Sequence, residues 1–274
     1  MKRIMLGDIH GREWWLDVVK RNKDADEFIF FGDYFDPYLD LVDPYADEFD
    51  FEGSIASVDK LISNFNKIVE FKESNGSRVK LLLGNHDLHY IADVRPCSRY
   101  NPKAAQQIKD VFLPKLHLFD VVYQFDNVLC THAGISCAWL DKYRPDWEVS
   151  NVAAIVRELF NEDPRYFDYD GTLFDESIAS VGRIYESPFW IRPQDLEYAD
   201  IGLWKEYIQV FGHTKLYGMP LDRALSKVNS SRYYNVDTLW GWEPRYLCYK
   251  DGEFSYNRVQ RRSQTYNLRQ SIDN

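Results

Sequence analysis

The sequence predicts an α/β protein in which two mixed β-sheets form a sandwich flanked by helices, with a small helical cap. Two patterns lead to this fold class. The first 112 residues repeat a strand, loop and helix pattern three times, and the chain from residue 118 onward carries closely spaced β segments. Since 45% of the 274 residues are hydrophobic, the chain can bury a full core, and we expect one domain over residues 1–258.

Each of the three repeated units starts with a short apolar strand that ends at a glycine. Residues 2–6 form the first strand, Gly7 follows, and residues 13–21 have the apolar spacing of a helix. The later units pair strand Glu27–Phe31 with helix Val58–Phe71, and strand Val79–Leu83 with a helical stretch near Ala104–Phe112. Such units predict parallel strands lying side by side.

The β-rich half predicts a second, mixed sheet that packs face to face with the first. Its strands are expected at Leu118–Gln124, Val128–Thr131, Tyr207–Gly212, Arg232–Val236, Tyr246–Lys250 and Glu253–Tyr256. Asp251-Gly252 between the last two strands is a typical hairpin turn.

Three segments lie outside this sandwich. Residues 138–205 are aromatic and charged and predict the helical cap, with Ser150–Phe160 as its clearest helix and Ser150 or Asn151 as the N-cap. Residues 36–56 predict an acidic loop, either a lid over a site or a solvated loop. Residues 259–274 predict a polar tail.

Composition and charge narrow the possible partners and the compartment. A formal net charge of −10 makes nucleic acid an unfavourable partner. No apolar run approaches the length of a membrane span, and the N-terminus lacks the apolar core of a secretory signal, so we expect no membrane association. The four cysteines show no CxxC pair, which indicates buried thiols in a reducing compartment, and we expect a cytoplasmic protein.

Polar motifs follow five of the predicted strands. Three follow the strands of the repeated units: Gly7-Asp8-Ile9-His10-Gly11, Gly32-Asp33-Tyr34-Phe35-Asp36 and Gly84-Asn85-His86-Asp87. Two lie in the β-rich half: Thr131-His132-Ala133-Gly134 and Gly212-His213-Thr214. Four of the six histidines fall in these motifs, so chance scatter is a poor explanation. Because the carboxyl ends of adjacent strands line one crevice, we expect these side chains to converge.

The chemistry of the converging residues indicates a pair of metal ions. A mixture of carboxylate, imidazole and amide oxygen suits divalent ions such as Mn²⁺, Fe²⁺ or Zn²⁺, whereas sites built from oxygen alone favour Mg²⁺. Two such ions lie about 3.5–4 Å apart and need a short bridging carboxylate, and Asp33 has the reach. We expect two divalent metal ions, with Mn²⁺ favoured over Fe, Zn or Mg.

In order, the five motifs resemble the series GDxHG, GDxxDRG, GNH(E/D), a lone His and GH of the calcineurin-like metallophosphoesterases. The resemblance covers about residues 4–240 and is to the phosphoprotein phosphatase branch, which includes serine/threonine phosphatases and dinucleoside tetraphosphatases. It implies the metallophosphoesterase (αββα) fold and a phosphate ester hydrolase that uses a hydroxide bridging two metals. It further implies the metal ligands Asp8, His10, Asp33, Asn85, His132 and His213, with Asp33 shared, and His86 as the proton donor steadied by Asp36.

This chain departs from the branch at the arginine that would bind substrate phosphate. Asp36-Pro37-Tyr38 stands where the branch has DRG, so another cation must take that role. Arg192 is the best candidate because its Trp-x-Arg segment resembles one in bacterial and phage-type members, although a surface salt bridge is an equally simple interpretation. Arg183 and Arg95 are weaker candidates.

The expected substrate is a phosphomonoester, on a phosphoprotein of the serine/threonine type, with a nucleotide as the closest rival in the form of a dinucleoside polyphosphate. Lys215 replaces the second histidine of the GHxH motif of nucleases, so a nuclease or phosphodiesterase is third. A binding scaffold that has lost catalysis is disfavoured because His86 and all the expected ligands remain. Of the other histidines, His117 is expected in the core, and His89 on a helix surface rather than in support of the site.

Overall fold

The computed structural model describes residues 1–37, 51–170, 182–199, 202–215, 232–239 and 244–259. The strands in these ranges are β1 (Lys2–Leu6), β2 (Glu27–Phe30), β3 (Val79–Leu82), β4 (Phe119–Asp120), β5 (Val122–Phe125), β6 (Val128–Thr131), β7 (Ile208–Phe211), β8 (Tyr233–Asn235), β9 (Arg245–Lys250) and β10 (Glu253–Arg258). The α-helices there are α1 (Trp14–Arg21), α2 (Phe51–Asn75), α3 (Asn85–Ile91), α4 (Ala105–Phe112), α5 (Cys137–Tyr143), α6 (Val152–Glu162) and α7 (Pro193–Ala199).

The strands form two mixed sheets, as the sequence predicts. The larger sheet has the order β10-β9-β1-β2-β3-β4, with β1 to β4 parallel and the β9–β10 hairpin antiparallel beside β1. The smaller sheet has the order β5-β6-β7-β8, in which β6, β7 and β8 are parallel and β5 is antiparallel to β6.

Side-chain alternation along the strands divides the apolar residues between two cores. Met5 and Ile29 pack with Val128 and Val210 in a core between the sheets. Their neighbours in sequence, such as Ile4, belong to the core between the larger sheet and the helices. Successive strand residues point to opposite faces, so the apolar runs Ile4–Leu6 of β1 and Phe28–Phe30 of β2 contribute to both cores.

The C-terminal hairpin corrects one prediction about the sheets. The sequence places Tyr246–Lys250 and Glu253–Tyr256 in the second sheet, but β9 pairs with β1 in the larger sheet, in the register that sets Met5 against Leu247. The pattern of a hairpin predicts its turn and its internal pairing. It contains no information about which sheet edge the hairpin joins.

The predicted strand Leu118–Gln124 is two strands in different sheets. β4 ends at Asp120 in the larger sheet, and β5 begins at Val122 in the smaller sheet. The Asp120 carboxylate accepts hydrogen bonds from the backbone N–H of Val121 (2.8 Å) and of Val122 (3.4 Å). This side-chain turn lets the chain pass from the larger sheet to the smaller sheet with only Val121 between β4 and β5. The sequence therefore reads as one strand.

Helix α2 is longer than predicted. It begins at Phe51 rather than near Val58, so residues 51–56 of the predicted acidic loop are helical, while residues 38–50 lie outside the described ranges. The described parts of the predicted cap are helical, and α6 has Asn151 in its N-cap position. Val259, at the predicted start of the tail, is buried, and the residues after it are outside the described ranges.

The cysteines and the helices bear on the predicted compartment. All four cysteines are free, but only Cys130 and Cys248 are buried, whereas Cys97 and Cys137 are partly exposed. Among the described residues, every helix is too short or too polar to span a bilayer.

Candidate metal centre

The five polar motifs follow the carboxyl ends of β1, β2, β3, β6 and β7, four in loops and the third in Gly84 and the first turn of helix α3. Five of the six residues expected to bind metal are at most 3% exposed: Asp8, His10, Asp33, Asn85 and His132. The sixth, His213, is partly exposed. The loops of both sheets therefore bring these side chains to one buried place.

Three of these loops hold residues in a strained backbone conformation. His10, Asp33, Asp36 and His213 have φ values of 43°, 56°, 56° and 64°, in the left-handed region that residues with a side chain rarely adopt. Each such residue costs on the order of 1–3 kcal/mol, a cost that folded proteins accept mainly at functional sites. All four residues are among the expected site residues.

Asp33 lies at the middle of the centre. Its Oδ2 atom is 3.5 Å from His10 Nε2 and 3.5 Å from His132 Nε2. Its Oδ1 atom accepts a hydrogen bond of 2.9 Å from the backbone N–H of His86. Within the described residues, ligand atoms within 4.8 Å of one another form two groups, His10 with Asp33 and His86, and Asp8 with Asp33 and His132. Asp33 belongs to both, as a bridging ligand requires.

Asn85 brings the amide oxygen of the donor set to the histidines of the smaller sheet. Asn85 Oδ1 lies 2.8 Å from His132 Nε2 and 3.1 Å from His213 Nδ1. The carboxylate of Asp8 accepts hydrogen bonds of 3.1 and 3.0 Å from the backbone N–H of His213. All six expected ligands are therefore connected to one another through these contacts.

The orientation of two imidazoles fits a metal ion better than a hydrogen-bonded network. His132 Nδ1 donates to the carbonyl oxygen of Phe31 at 2.6 Å, so in the neutral ring Nε2 presents its lone pair to Asn85 Oδ1. His10 Nδ1 likewise faces two carbonyl oxygens, and burial lowers the pKa of His10 well below its usual value, which keeps the ring neutral. Lone pairs that face one another repel unless a cation lies between them.

Two glycines allow the donors to come this close. A Cβ atom on Gly84 would overlap the Asp33 carboxylate and the His132 ring, and a Cβ atom on Gly212 would overlap the Asp8 carboxylate. Any other residue would have to displace a donor. The residues present thus fit a pair of divalent cations by donor type, by orientation and by spacing.

Buried charge is concentrated at the centre. Burial, together with the nearby Asp8 and Asp87 carboxylates, raises the pKa of Asp33 well above its usual value. Burial and the nearby Arg192 lower the pKa of His213 well below its usual value. Bound cations would reverse the effect on Asp33 by favouring its charged form.

His86 and Asp36 form the expected pair beside the metal ligands. His86 Nδ1 lies 2.9 Å from Asp36 Oδ2, and the His86 ring contacts the His10 ring edge-on at 5.0 Å. Burial disfavours the charged imidazole, but the charge of Asp33 and the hydrogen bond to Asp36 outweigh it and raise the pKa of His86. A histidine with a raised pKa retains a proton to donate near neutral pH.

His89 does not lie on a helix surface, contrary to the prediction. It is 4% exposed, and its Nε2 atom lies 3.0 Å from the same Asp36 Oδ2 atom that contacts His86. Tyr90, which the sequence analysis did not single out, donates from its hydroxyl to Asp36 Oδ1 at 2.6 Å. Helix α3 is covered by the segment that contains Tyr100, whose ring packs on both side chains, so the expected surface is an interior.

Asp87 is a second residue whose role the sequence analysis missed. Its carboxylate accepts hydrogen bonds from the backbone N–H groups of Asp33 (2.8 Å), Tyr34 (3.0 Å) and Gly84 (2.9 Å). These contacts join the loop after β2 to the loop after β3. Burial raises the pKa of Asp87 to about 6 despite the three donors. The motif Gly-Asn-His-Asp could have suggested this role, since an acidic residue in the first turn of a helix commonly accepts backbone N–H bonds.

Arg192, the first candidate for binding the substrate phosphate, lies beside the metal centre. Its Nη1 atom donates to the carbonyl oxygen of His213 (3.3 Å) and to Thr214 Oγ1 (3.2 Å). Arg95 is exposed, and the side chain of Arg183 is outside the described part. His117 is absent from the centre, as expected, but it is exposed on a short 3-10 helix rather than buried in the core.

Comparison with known proteins identifies the family to which the chain belongs. The family model of the calcineurin-like phosphoesterases matches residues 1–246. Over 106 residues the chain is 32% identical to the symmetrical bis(5'-nucleosyl)-tetraphosphatase of Edwardsiella ictaluri, a match that covers 34% of this chain and 33% of that protein. The matched segment therefore spans about a third of the relative's length.

Two solved structures are similar over most of their length. A candidate diadenosine tetraphosphatase is 16% identical with a TM-score of 0.46, and the match covers 94% of this chain and 93% of that one. A metallophosphoesterase from Sphaerobacter thermophilus is 17% identical with a TM-score of 0.41, and the match covers 96% of this chain and 90% of that one.

The calcineurin-like phosphoesterases are metal-dependent hydrolases with a binuclear metal centre, and the two ligand groups that share Asp33 fit such a centre. This chain belongs to the calcineurin-like phosphoesterase family.

Proposed function

We propose that this protein hydrolyses phosphomonoesters, as the serine/threonine phosphatases of its family do, and uses His86 to protonate the leaving group. The observation that supports the proposal is the contact of His86 Nδ1 with Asp36 Oδ2 at 2.9 Å, directly beside the metal ligands. An alkoxide leaving group, as in phosphoserine, needs a proton, whereas the phosphate released from an anhydride leaves readily without one. A proton donor that Asp36 holds in place therefore accelerates the hydrolysis of an ester more than that of an anhydride.

Under this proposal Asp8, His10, Asp33, Asn85, His132 and His213 hold two divalent cations, with Mn²⁺ favoured. When bound, such cations supply positive charge to the phosphoryl oxygens and make water acidic enough to provide the nucleophile near neutral pH. Arg192 binds the substrate phosphate from the side of His213, where its guanidinium lies. Asp36 orients His86 so that the proton on the other ring nitrogen, Nε2, faces the departing oxygen.

A dinucleoside polyphosphate is the second candidate substrate. Its support is the curated relative, which is named as a symmetrical bis(5'-nucleosyl)-tetraphosphatase and shares 32% identity over 106 residues. The absence of the DRG arginine, replaced here by Asp36-Pro37-Tyr38, also weakens the choice of a protein phosphatase.

The free state of all four cysteines supports the cytoplasmic location that forms part of the proposal.

The substrate class is tested by restoring Mn²⁺ to the metal-stripped protein and comparing four compounds. These are p-nitrophenyl phosphate, a phosphoserine peptide, diadenosine tetraphosphate and the diester bis(p-nitrophenyl) phosphate. We expect the highest kcat/KM with the phosphopeptide. Preference for the tetraphosphate would select the second candidate, preference for the diester would indicate a phosphodiesterase, and no turnover of any compound would indicate a binding scaffold.

The proton donor is tested by His86→Asn. We expect kcat on the phosphopeptide to fall roughly 10²–10⁴-fold, the usual contribution of a general acid, while the metal content stays at the wild-type value. His117→Asn is the matched control, because His117 is exposed and far from the motifs. Unchanged turnover in His86→Asn with full metal content would refute the assigned role.

A further inference from the structure

A buried polar network continues from Asp36 away from the metal ligands. The Asp36 carboxylate is only 2% exposed and is approached by three side chains, His86, His89 and Tyr90. His86 and His89 share Oδ2, while the Tyr90 hydroxyl takes Oδ1. The proposed reaction uses only the first of these contacts.

The Tyr90 contact limits rotation of the carboxylate. The terminal torsion of an aspartate is broad, so a carboxylate held at one oxygen can turn away from its partner. In this structure the two oxygens are held by different donors, and the 2.6 Å distance to Tyr90 is the shortest contact of Asp36 in the network. Rotation would break the bond to Tyr90 as well as the bond to His86.

The tautomer of His89 is fixed by the backbone. The N–H of Cys97 donates to His89 Nδ1 at 3.2 Å, so Nδ1 accepts and the proton of the neutral ring lies on Nε2, facing Asp36. The Nε2–H direction is poorly aligned with Oδ2 despite the 3.0 Å distance. His89 therefore supports the carboxylate mainly by its local charge distribution, and Tyr90 supports it by a well-formed hydrogen bond.

The same segment also touches a metal ligand. Cys97 Sγ donates to the backbone carbonyl of Asn85 at 3.2 Å, and Asn85 Nδ2 lies 3.5 Å from Cys97 Sγ. The rings of His89 and Tyr90 pack edge-on at 4.3 Å, and Tyr100 covers both. His89 and Tyr90 of helix α3 and the Cys97 segment thus form one packed unit.

We propose that Tyr90 and His89 are positioning residues of the reaction, which act through Asp36 to keep His86 aligned as the proton donor. This inference rests on the proposed role of His86 and adds two residues to it. Neither residue is among the expected metal ligands or the candidate phosphate-binding residues, so their contribution must depend on how much the leaving group needs a proton. That dependence separates positioning from a merely structural role.

The test compares Tyr90→Phe with wild type on two aryl esters after Mn²⁺ is restored. Phenyl phosphate releases a phenol of much lower acidity than p-nitrophenyl phosphate does, so it depends more on a proton donor. We expect Tyr90→Phe to lower kcat on phenyl phosphate about tenfold and on p-nitrophenyl phosphate less than about twofold, with KM unchanged on both. A loss of equal size on both esters would show a structural role and overturn the inference.

Tyr34→Phe is the matched control. Its hydroxyl is also buried and donates one hydrogen bond, to the carbonyl oxygen of Leu82 at 2.9 Å, but it does not touch Asp36. We expect this variant to lose stability without a leaving-group-dependent loss of kcat. A loss that depends on the leaving group in Tyr34→Phe would show that any buried hydroxyl has this effect, and would overturn the inference.

His89 is tested by a pair of variants. His89→Leu removes the N–H that faces Asp36, and we expect a leaving-group-dependent loss smaller than that of Tyr90→Phe, because the contact is poorly aligned. His89→Gln retains an N–H donor and should restore most of the activity on phenyl phosphate. Equal activity of the leucine and glutamine variants would remove His89 from the proposal.

His86→Asn makes the two proposals separable. If wild type turns over neither ester, the proposed function fails. If His86→Asn shows the leaving-group-dependent loss and Tyr90→Phe does not, the role of His86 stands and only the positioning inference fails.

Discussion

The loops of the larger sheet bring carboxylates and an amide to the metal centre, whereas the loops of the smaller sheet bring histidines. Asp8, Asp33 and Asn85 follow β1, β2 and β3, and His132 and His213 follow β6 and β7. His10 is the exception, a histidine in a loop of the larger sheet. The acid pair His86 and Asp36 also belongs to the larger sheet, while Arg192 lies beside the smaller one.

Each half orients ligands of the other half through its backbone. The N–H of His213, after β7, holds the carboxylate of Asp8, after β1. The carbonyl oxygen of Phe31, after β2, accepts the N–H of His132, after β6. The donors therefore reach their orientation only when the two sheets face each other. A metal site of this kind couples metal binding to closure of the sandwich, because neither sheet alone presents an oriented set.

The largest expected effect comes from the one donor that both metals share. Asp33→Asn removes the bridging charge, and we expect both metals to be lost and activity to fall at least about a thousandfold, since metal ions supply several kcal/mol of charge stabilisation. His213→Ala removes a ligand of the smaller sheet and should cost one metal equivalent. Metal-to-protein ratios by mass spectrometry check both. Two bound metals in Asp33→Asn would show that the halves do not share a ligand.

The next prediction concerns Gly212, whose backbone lies close to the Asp8 carboxylate of the other half. Because a Cβ on Gly212 would overlap the Asp8 carboxylate, we expect Gly212→Ala to weaken metal affinity roughly 10–100-fold, the range seen when an orienting contact is lost. Competition with a metal-binding dye measures this. Gly76→Ala is the control, since Gly76 has φ of +55° in open space. It should lower the free energy of unfolding by about 1 kcal/mol without changing metal affinity. Equal metal affinity in both variants would contradict the close-approach argument.

Local sequence patterns were sufficient for the part of the fold that depends on neighbouring residues. The strand, glycine and helix units predicted β1 to β3, α1 and α4, and the polar residues after each strand predicted side chains that the structure brings together. Strand periodicity predicted the hairpin β9–β10 but placed it in the wrong sheet. Pairing with β1 is a contact between the two ends of the chain, and no local pattern contains it.

The errors within the site have a related cause. His89 lies three residues beyond His86, and this spacing alone does not show that a later segment with Cys97 and Tyr100 covers it. The motif Gly84-Asn85-His86-Asp87 shows that Asp87 is present but not what it binds. Its three backbone partners come from two different loops. Contacts that link separate loops are set by tertiary packing, and these were the contacts that the sequence could not provide.

Two buried carboxylates differ in how many backbone N–H bonds they accept, although burial raises the pKa of both. Asp87, in the larger-sheet half, accepts three backbone N–H bonds. Glu186, in the cap segment that leads to Arg192, accepts one, from Asp170 at 3.2 Å, and its Oε1 atom has no hydrogen-bond partner among the described residues. Burial raises the pKa of Glu186 from 4.5 to about 7. The protonated form is thus favoured in the folded protein, and the ionised form is a cost to stability.

The smallest predicted effect is the pH dependence of stability that the raised pKa of Glu186 causes. Between pH 4.5 and about 7 the folded protein binds a proton at Glu186 that the unfolded chain has released, so stability falls as pH rises through this range. Glu186→Gln removes this dependence while keeping an oxygen for the Asp170 N–H. Urea unfolding of the metal-free proteins should show equal stability near pH 4.5 and an advantage of about 1–3 kcal/mol for the glutamine variant at pH 8. A constant difference across this range would show that folding does not raise the pKa of Glu186, and would contradict the prediction.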